Sequence, residues 1–327
     1  GIIYTRDIKM NIINLMNFLK TQKKVFIQTH NFPDHDAVSS AFGLQFLLKK
    51  FDIDSFIVYE GEIQRDSLKN MIKQLNIDIK HINQYNMKEE DKIIIVDGCK
   101  GNKNVTDLIG DEICVIDHHR VEKPENVQFV DIRSDYGACA SIIYSYYSEL
   151  KIEIPQNIAT ALMIGINMDT ALLTRGVSQN DINSYSNLYL IANNRLVNTI
   201  LRNYIQVKDI SFFRSAIDNI KIIDNIGFCY FSEGCNQNLL GIIGDFFLSI
   251  QEIDFVALFA KNDNKINASF RSESDIWNAA SIIQETLKGI GFGGGHADMA
   301  GGIIENTNLF NEEEIIKKLQ KSLTNCK

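Results

Sequence analysis

Val25-Phe26-Ile27-Gln28-Thr29, followed at once by His30-Asn31-Phe32-Pro33-Asp34-His35-Asp36, sets the reading of the chain. A β-rich run ends in a polar turn, and from Val38 to Lys50 the apolar residues recur with a helical period. Working outward, Phe56-Ile57-Val58-Tyr59 reads as another strand. Ile93-Ile94-Ile95-Val96 and Ile113-Cys114-Val115-Ile116 are unbroken apolar runs, the pattern of strands buried on both faces of a parallel sheet. Helical patterns follow at 137–150 and 156–167. The alternation predicts an α/β layer architecture built on a parallel sheet.

Between Asp181 and Asp218 the pattern is helical and polar, which reads as a helical linker. A second, smaller α/β unit begins near Lys221, with strands expected at 221–223, 228–231, 254–260 and 266–270 and helices at 238–250, 276–287 and 311–324. The expected division is a catalytic domain over 1–185, a linker over 186–218 and a second domain over 219–327.

A length of 327 residues suits two domains of ordinary size. With 45% hydrophobic and 23% charged residues, 3 prolines and 20 glycines, the chain is globular in composition, and collagen-like or low-complexity chains are excluded. A net charge of −8 argues against a surface that coats nucleic acid and leaves room for a local basic pocket. Cys99, Cys114, Cys139, Cys229, Cys235 and Cys326 form no CxxC pair, so they read as buried free thiols in a reducing compartment. The start, Gly1-Ile2-Ile3-Tyr4, has no initiator Met and is followed by an ordinary amphipathic stretch without a signal-peptide pattern. No run of about 18 apolar residues occurs, so no membrane span is expected. These features lead us to expect a cytoplasmic protein.

Acid and imidazole groups gather where apolar runs end, and in open α/β sheets ligands bind beyond the carboxyl ends of strands. The 30–36 segment follows the first strand, Asp97 follows 93–96, and Asp117-His118-His119 follows 113–116. Asn167-Met168-Asp169-Thr170 follows the apolar run 161–166, read here as a fourth strand end. Of the 6 histidines, only His81 lies outside these segments and the glycine cluster at 291–296. A single Asp at such a place reads first as a helix or turn cap. Capping does not call for paired histidines, whereas imidazole with several carboxylates is a ligand set for divalent first-row metals. Two ions about 3.5–4 Å apart need a bridging carboxylate, and Asp97 at the end of a buried strand is placed to be one.

In order and spacing, the HxxxDxD segment, the lone Asp97, the Asp117-His118-His119 triplet and Asp169 resemble the DHH phosphoesterase superfamily. Gly293-Gly294-Gly295-His296, followed by Ala300-Gly301-Gly302, looks like the DHHA1 domain of that superfamily. The resemblance covers nearly the whole chain, and its size is similar to the oligoribonuclease and 3′-phosphoadenosine-5′-phosphate (pAp) phosphatase subgroup, related to RecJ. It implies two divalent ions, Mn²⁺ foremost with Co²⁺ or Mg²⁺ as alternatives. It places His30 and Asp34 on the first ion, Asp36, His118 and Asp169 on the second, and Asp97 between them. His119 is then left to face the phosphate as donor or general acid, and Asp117 to orient a histidine. The implied reaction is hydrolysis by a hydroxide bridging the two ions. Many relatives carry a small residue where this chain has His35, which either tunes the metals, touches substrate, or is a solvated or helix-capping side chain.

Beyond the metals, Gly293, Gly294 and Gly295 would let backbone N–H groups approach an anion; a glycine run alone reads as a flexible turn, but His296, an added donor, and the resemblance point to substrate binding. Arg271 suits a phosphate, against a surface ion pair with Glu273 or Asp275. Arg133 with Ser134, before the helix start at 137–141, could also meet phosphate, while Ser141 could be a packed small residue. Trp277 reads as helix core. The expected substrates are short RNA or DNA oligonucleotides, linear dinucleotides or pAp, the catalytic domain and the second domain closing on them as a clamp. The alternatives are a pyrophosphatase or polyphosphatase, a cyclic-dinucleotide phosphodiesterase, and an inactive nucleotide-binding module. A homodimer is possible by resemblance, and no membrane partner is expected.

Overall fold

The computed structural model describes residues 8–232 and 234–325. The N-terminal Gly1-Ile2-Ile3-Tyr4 and Cys326 lie outside the described residues. The chain divides into two compact units, 1–204 and 205–327.

The first unit holds strands β1 (Val25–Gln28), β2 (Ser55–Tyr59), β3 (Ile79–His81), β4 (Lys92–Val96), β5 (Asp111–Asp117) and β6 (Phe129–Ile132). Its helices are α1 (Ile12–Leu19), α2 (His35–Lys50), α3 (Asp66–Gln74), α4 (Cys139–Leu150), α5 (Gln156–Asp169), α6 (Gln179–Tyr189) and α7 (Asn194–Arg202). The six strands form one parallel sheet in the order β3-β2-β1-β4-β5-β6. Successive strand residues face opposite sides: Val25, Ile27, Ile94, Val96, Cys114 and Ile116 enter one apolar core, and Phe26, Ile93, Ile95 and Val115 the other. Both faces are therefore covered, which is why these strands read as unbroken apolar runs. Sequence order reverses between β1 and β4. At such a reversal the connections leave to opposite sides and open a crevice beyond the carboxyl ends.

The second unit holds α8 (Ile210–Asn219), β7 (Lys221–Ile223), β8 (Ile226–Phe231), α9 (Gln237–Leu248), β9 (Phe255–Asn262), β10 (Lys265–Ser272), α10 (Ala279–Leu287), β11 (Phe292–Gly295), β12 (Met299–Ile304) and α11 (Glu312–Asn325). Its sheet runs β11-β12-β10-β9-β8-β7 and is mixed, with β8 and β9 parallel and the other neighbours antiparallel. Trp277 is buried just ahead of α10 and donates its indole N–H to Leu323 O, so it is core, though not within a helix.

The helical stretch read as a linker is divided in the structure. Val197 and Ile200 of α7 enter the first unit's main core, and α7 packs on α5 and α3. Ala216 of α8 enters a core of the second unit. Both helices carry an apolar stripe, and a stripe of this kind is buried wherever a partner face is available. Cys99, Cys114, Cys139, Cys229 and Cys235 are all buried free thiols. Among the described residues no helix is long and apolar enough to cross a membrane.

Candidate metal centre and active site

His30 follows β1, Asp97 follows β4, and Asp117, His118 and His119 lie at the end of β5. β1 and β4 flank the point where strand order reverses, so the sheet delivers these groups to its crevice. Asp97 has φ 55°, a left-handed conformation that Asp tolerates better than most residues, and its N–H donates to Ile116 O at 2.9 Å. At the next residue, Gly98, a Cβ would stand 2.9 Å from the Val105 side chain, so the chain leaves the strand through a space that only glycine fits. Two expectations are corrected here. Asp169 ends a helix, α5, not a strand. His30, Asp34 and Asp36 do not all lie in the polar turn after β1: Asp34 is the N-cap of α2, accepting from Ala37 N, and Asp36 lies in that helix's first turn.

The carboxylates and imidazoles meet closely. His30 Nε2 is 3.6 Å from Asp34 Oδ2 and 3.7 Å from Asp97 Oδ2. His118 Nε2 is 3.1 Å from Asp169 Oδ2, 3.3 Å from Asp97 Oδ1 and 3.8 Å from Asp36 Oδ2. Asp97 thus turns one oxygen towards each group. The ligand atoms of His30, Asp34 and Asp97 lie within 4.8 Å of one another, as do those of Asp36, His118 and Asp169, and those of Asp97, His118 and His119.

The bonding of the rings tests whether cations fit here. A carbonyl only accepts, so the contacts of His30 Nδ1 with Asn31 O (2.9 Å) and of His118 Nδ1 with Tyr136 O (3.1 Å) put a proton on each Nδ1. In the neutral ring each Nε2 then carries a lone pair aimed at carboxylate oxygens. His118 Nε2 and Asp97 Oδ1 are buried and have no hydrogen-bond partner. Lone pairs facing lone pairs in a buried site are what a divalent cation resolves, and a ring held through its second nitrogen is the usual support for a metal ligand. The set fits divalent ions.

The same crowding shifts the titrations of this cluster. Burial, then the charges of Asp97 and Asp169, push Asp36 well up, and burial pushes Asp97 up to about 6. Burial alone would lower His30 and His118, but neighbouring carboxylates win: His30 is held up at about 10 and His118 is raised as well. Asp34 moves the other way: burial would raise it, but His30 pulls it down, so it matters only at strongly acid pH. A raised pKa means that folding favours the protonated form, so stability from Asp97 is full below about pH 4 and falls as pH rises through 6. Chelated protein is therefore expected to be less stable at pH 8 than at pH 5.5, on the order of 1 kcal/mol from Asp97 alone, and added Mn²⁺ should remove that slope. Chemical denaturation at both pH values checks this, and a chelated protein that gains stability as pH rises would contradict it.

Local packing fixes the individual ligands. Asp36 accepts from Cys139 N (2.7 Å) and Ala140 N (2.9 Å), so α2 supplies the missing side-chain cap of α4, at a helix end that favours negative charge. A Cβ on Gly165 would stand 2.2 Å from Ser39 Oγ and 3.1 Å from Asp36 Oδ1; glycine there lets α5 approach α2. Asp117 is fully buried, and its Oδ1 receives the N–H groups of His118 and His119 and contacts His119 Nδ1 at 2.7 Å. Burial opposes protonation of His119, and Asp117 and Asp97 more than offset it, so its pKa is raised. With Nδ1 on Asp117, His119 keeps Nε2 available, on a side chain that is 53% exposed.

Several expected contacts are not brought together. His35 is buried, neither solvated nor a cap: Nε2 lies 3.0 Å from Ser67 Oγ of α3, and burial, then the charge of Arg65, push its pKa down to about 4. Arg133 is consumed internally. Its Nε and Nη2 form a fork on buried Asp131 (2.7 and 2.8 Å), and Nη1 donates to Tyr136 Oη and Ser145 Oγ. Tyr146 Oη also donates to Asp131, so the guanidinium fork and a hydroxyl together supply the partners that a buried carboxylate needs. Ser141 is buried and donates to Asp181. In the second unit Arg271 pairs with Asp245 of α9 (2.6 Å), not with Glu273 or Asp275, and also donates to Ser269 Oγ and Phe270 O. Gly293, Gly294 and Gly295 are not a turn but the edge strand β11, paired with β12. A Cβ on Gly293 would stand 2.9 Å from Ile283 of α10, so these glycines admit a helix against the sheet. His296 is exposed just beyond that strand.

Sequence reasoning missed Asp181. Buried in α6, it accepts from Gly137 N and Ser141 Oγ, holding the segment whose Tyr136 carbonyl orients His118. Ser178 and Asp181 form a capping box, a signal visible in sequence, but the link to Gly137 is not.

The DHH family N-terminal domain matches residues 24–166, the span that carries every strand-end ligand described above, and the DHHA1 domain matches residues 224–325. The chain carries a DHH domain and a DHHA1 domain. Among its relatives, the uncharacterized protein MJ1633 of Methanocaldococcus jannaschii is 29% identical over 95% of this chain and 66% of its own length. A probable manganese-dependent inorganic pyrophosphatase of Streptococcus thermophilus is 26% identical over 46% of this chain and 49% of its own. The chain thus spans less than two thirds of the first relative and about half the length of the pyrophosphatase. Of solved structures, an exopolyphosphatase-related protein from Bacteroides fragilis superposes with a TM-score of 0.78 at 18% identity, covering 96% of this chain and 95% of that one. RecJ from Thermus thermophilus in complex with Mn²⁺ superposes at 0.56 and 14% identity, covering 95% and 54%. At such identities these likenesses establish the DHH fold and leave the substrate open.

Proposed function

We propose that this chain is a Mn²⁺-dependent phosphoesterase acting on short oligonucleotides, linear dinucleotides or pAp. The observation that carries the reading is Asp97, which turns one oxygen to the His30–Asp34 group and the other to the His118–Asp36–Asp169 group. Two divalent ions held there would supply positive charge against a phosphoryl group and lower the pKa of water. The chain's own residues do the rest. His30, Asp34, Asp36 and His118 hold their positions through backbone and helix-end contacts, Asp169 stands at the end of α5, and Asp117 holds His119 through Nδ1 and leaves Nε2 available. A protonated His119 would donate to a phosphoryl oxygen or to the leaving group. The acidic net charge favours a small substrate over long duplex DNA.

A pyrophosphatase reading draws on the Streptococcus relative. That match of 153 residues is too short to cover both matched domains, and the DHHA1 half favours a substrate with a nucleotide end. A Mn²⁺-dependent activity panel of pAp, di- to penta-ribonucleotides, single-stranded DNA, cyclic dinucleotides, pyrophosphate and polyphosphate decides between them. Turnover of pyrophosphate or polyphosphate alone would replace the nucleotide reading.

A further inference from the structure

Phe32 stands in sequence between two members of the cluster, His30 and Asp34, in a conformation unusual for its residue type. Its φ is 53°, in the left-handed region that bulky side chains rarely enter. It also precedes Pro33, whose ring favours extended backbone at the residue before it. The surroundings impose this shape. Asn31 N–H donates to Asn104 O at 2.7 Å, and the Asn31 side chain donates to Thr106 Oγ1 and accepts from Thr106 N and Oγ1. Phe32 N–H donates to Glu60 O at 2.9 Å. The ring lies over Gly61, itself at φ +81°, where a Cβ would come within 3.0 Å of three ring atoms.

So held, the ring remains 53% exposed and belongs to none of the apolar cores. Backbone strain and an exposed aromatic side chain both cost stability, and neither is repaid by packing. Strain that the surroundings maintain concentrates at sites that use it. A rigid ring with one face on glycine and much of its surface open is what a planar heterocycle stacks on.

We propose that Phe32 is a specificity-determining residue, a stacking platform for the nucleobase of a substrate whose phosphate lies at the His30–Asp34–Asp97 group. This rests on the phosphoesterase reading above. Stacking is tolerant of base identity because every base has a π-face, so the platform would select for the presence of a base and favour purines by their larger area.

The test compares wild type, Phe32→Asn and Phe32→Trp, each loaded with Mn²⁺, on pAp and on its base-free counterpart, 1,4-anhydroribitol 3,5-bisphosphate. Asn adopts the left-handed region readily, so the variant removes the ring without straining the loop. Dissociation constants and kcat/KM are read for both compounds, and thermal melts check the fold. The ratio of base-bearing to base-free affinity is expected to fall about 5- to 100-fold in Phe32→Asn and to be kept or raised in Phe32→Trp. The same ratio in all three proteins, with both compounds turned over, overturns the platform and leaves the phosphoesterase reading standing. A Phe32→Asn protein that no longer folds overturns it too, by making the ring structural. Wild type that neither binds nor hydrolyses pAp overturns the platform, and the phosphoesterase reading falls with it only if the di- to penta-ribonucleotides are left uncut as well.

Discussion

Asp97→Ala is expected to lose activity by about a thousandfold or more and to lose both metal sites together. Asp97 is buried, its two oxygens face different imidazoles, and among the described residues no second carboxylate belongs to both the His30 and the His118 group. Asp97→Asn gives the sharper comparison, since it keeps the shape and replaces one of the two oxygens with a donor. Because burial pushes the Asp97 carboxyl up to about 6, its removal lifts an electrostatic load from the metal-free protein. Chelated Asp97→Asn should then melt no lower than chelated wild type at pH 8, while metal analysis finds it depleted. Two tightly bound ions in the alanine variant would refute the bridging assignment. A chelated asparagine variant that melts far lower would show that Asp97 serves the fold.

His119→Ala is expected to keep its metals and lose turnover by about 10²- to 10⁴-fold, the usual range for a positioned proton donor. The reasoning is that Nδ1 is held by Asp117 at 2.7 Å, so only Nε2 remains for the phosphate. Asp117→Asn supplies an independent readout. Without the carboxylate that helps raise the His119 pKa, a general acid loses its proton at lower pH. The alkaline limb of the pH–rate profile should therefore move to lower pH. If His119→Ala instead loses an ion, the Asp97–His118–His119 group is a true ligand set and the two histidines exchange roles. If Asp117→Asn lowers the rate without moving the limb, His119 is not the group that titrates in the reaction.

The strand-end residues His30, Asp97 and His118 were legible because a parallel sheet sends everything that follows a buried strand to one edge, so position along the chain translates into position in space. The internal fate of Arg133 was not legible: it was read as a phosphate contact, and its fork on Asp131 of β6, two residues back, emerged only in the structure. What the sequence did not carry was Tyr146 and Ser145 arriving from α4 to complete the network. The glycine run was read as an anion-binding segment with a flexible turn as the alternative, because glycine is a poor strand former, and only the packing of Ile283 on Gly293 explains a strand there.

Periodicity and the ends of apolar runs sufficed for the α/β class and for the residue types of a metal centre, since both follow from local rules of side-chain alternation and burial. Tertiary structure alone decided which oxygen of Asp97 faces which imidazole, that Asp36 caps α4 from another helix, that Asp181 steadies the segment behind His118, and that Phe32 is held open beside the cluster. Each of these depends on groups 21 or more residues apart meeting within a few ångströms. Close packing sets such distances, and no local pattern encodes them.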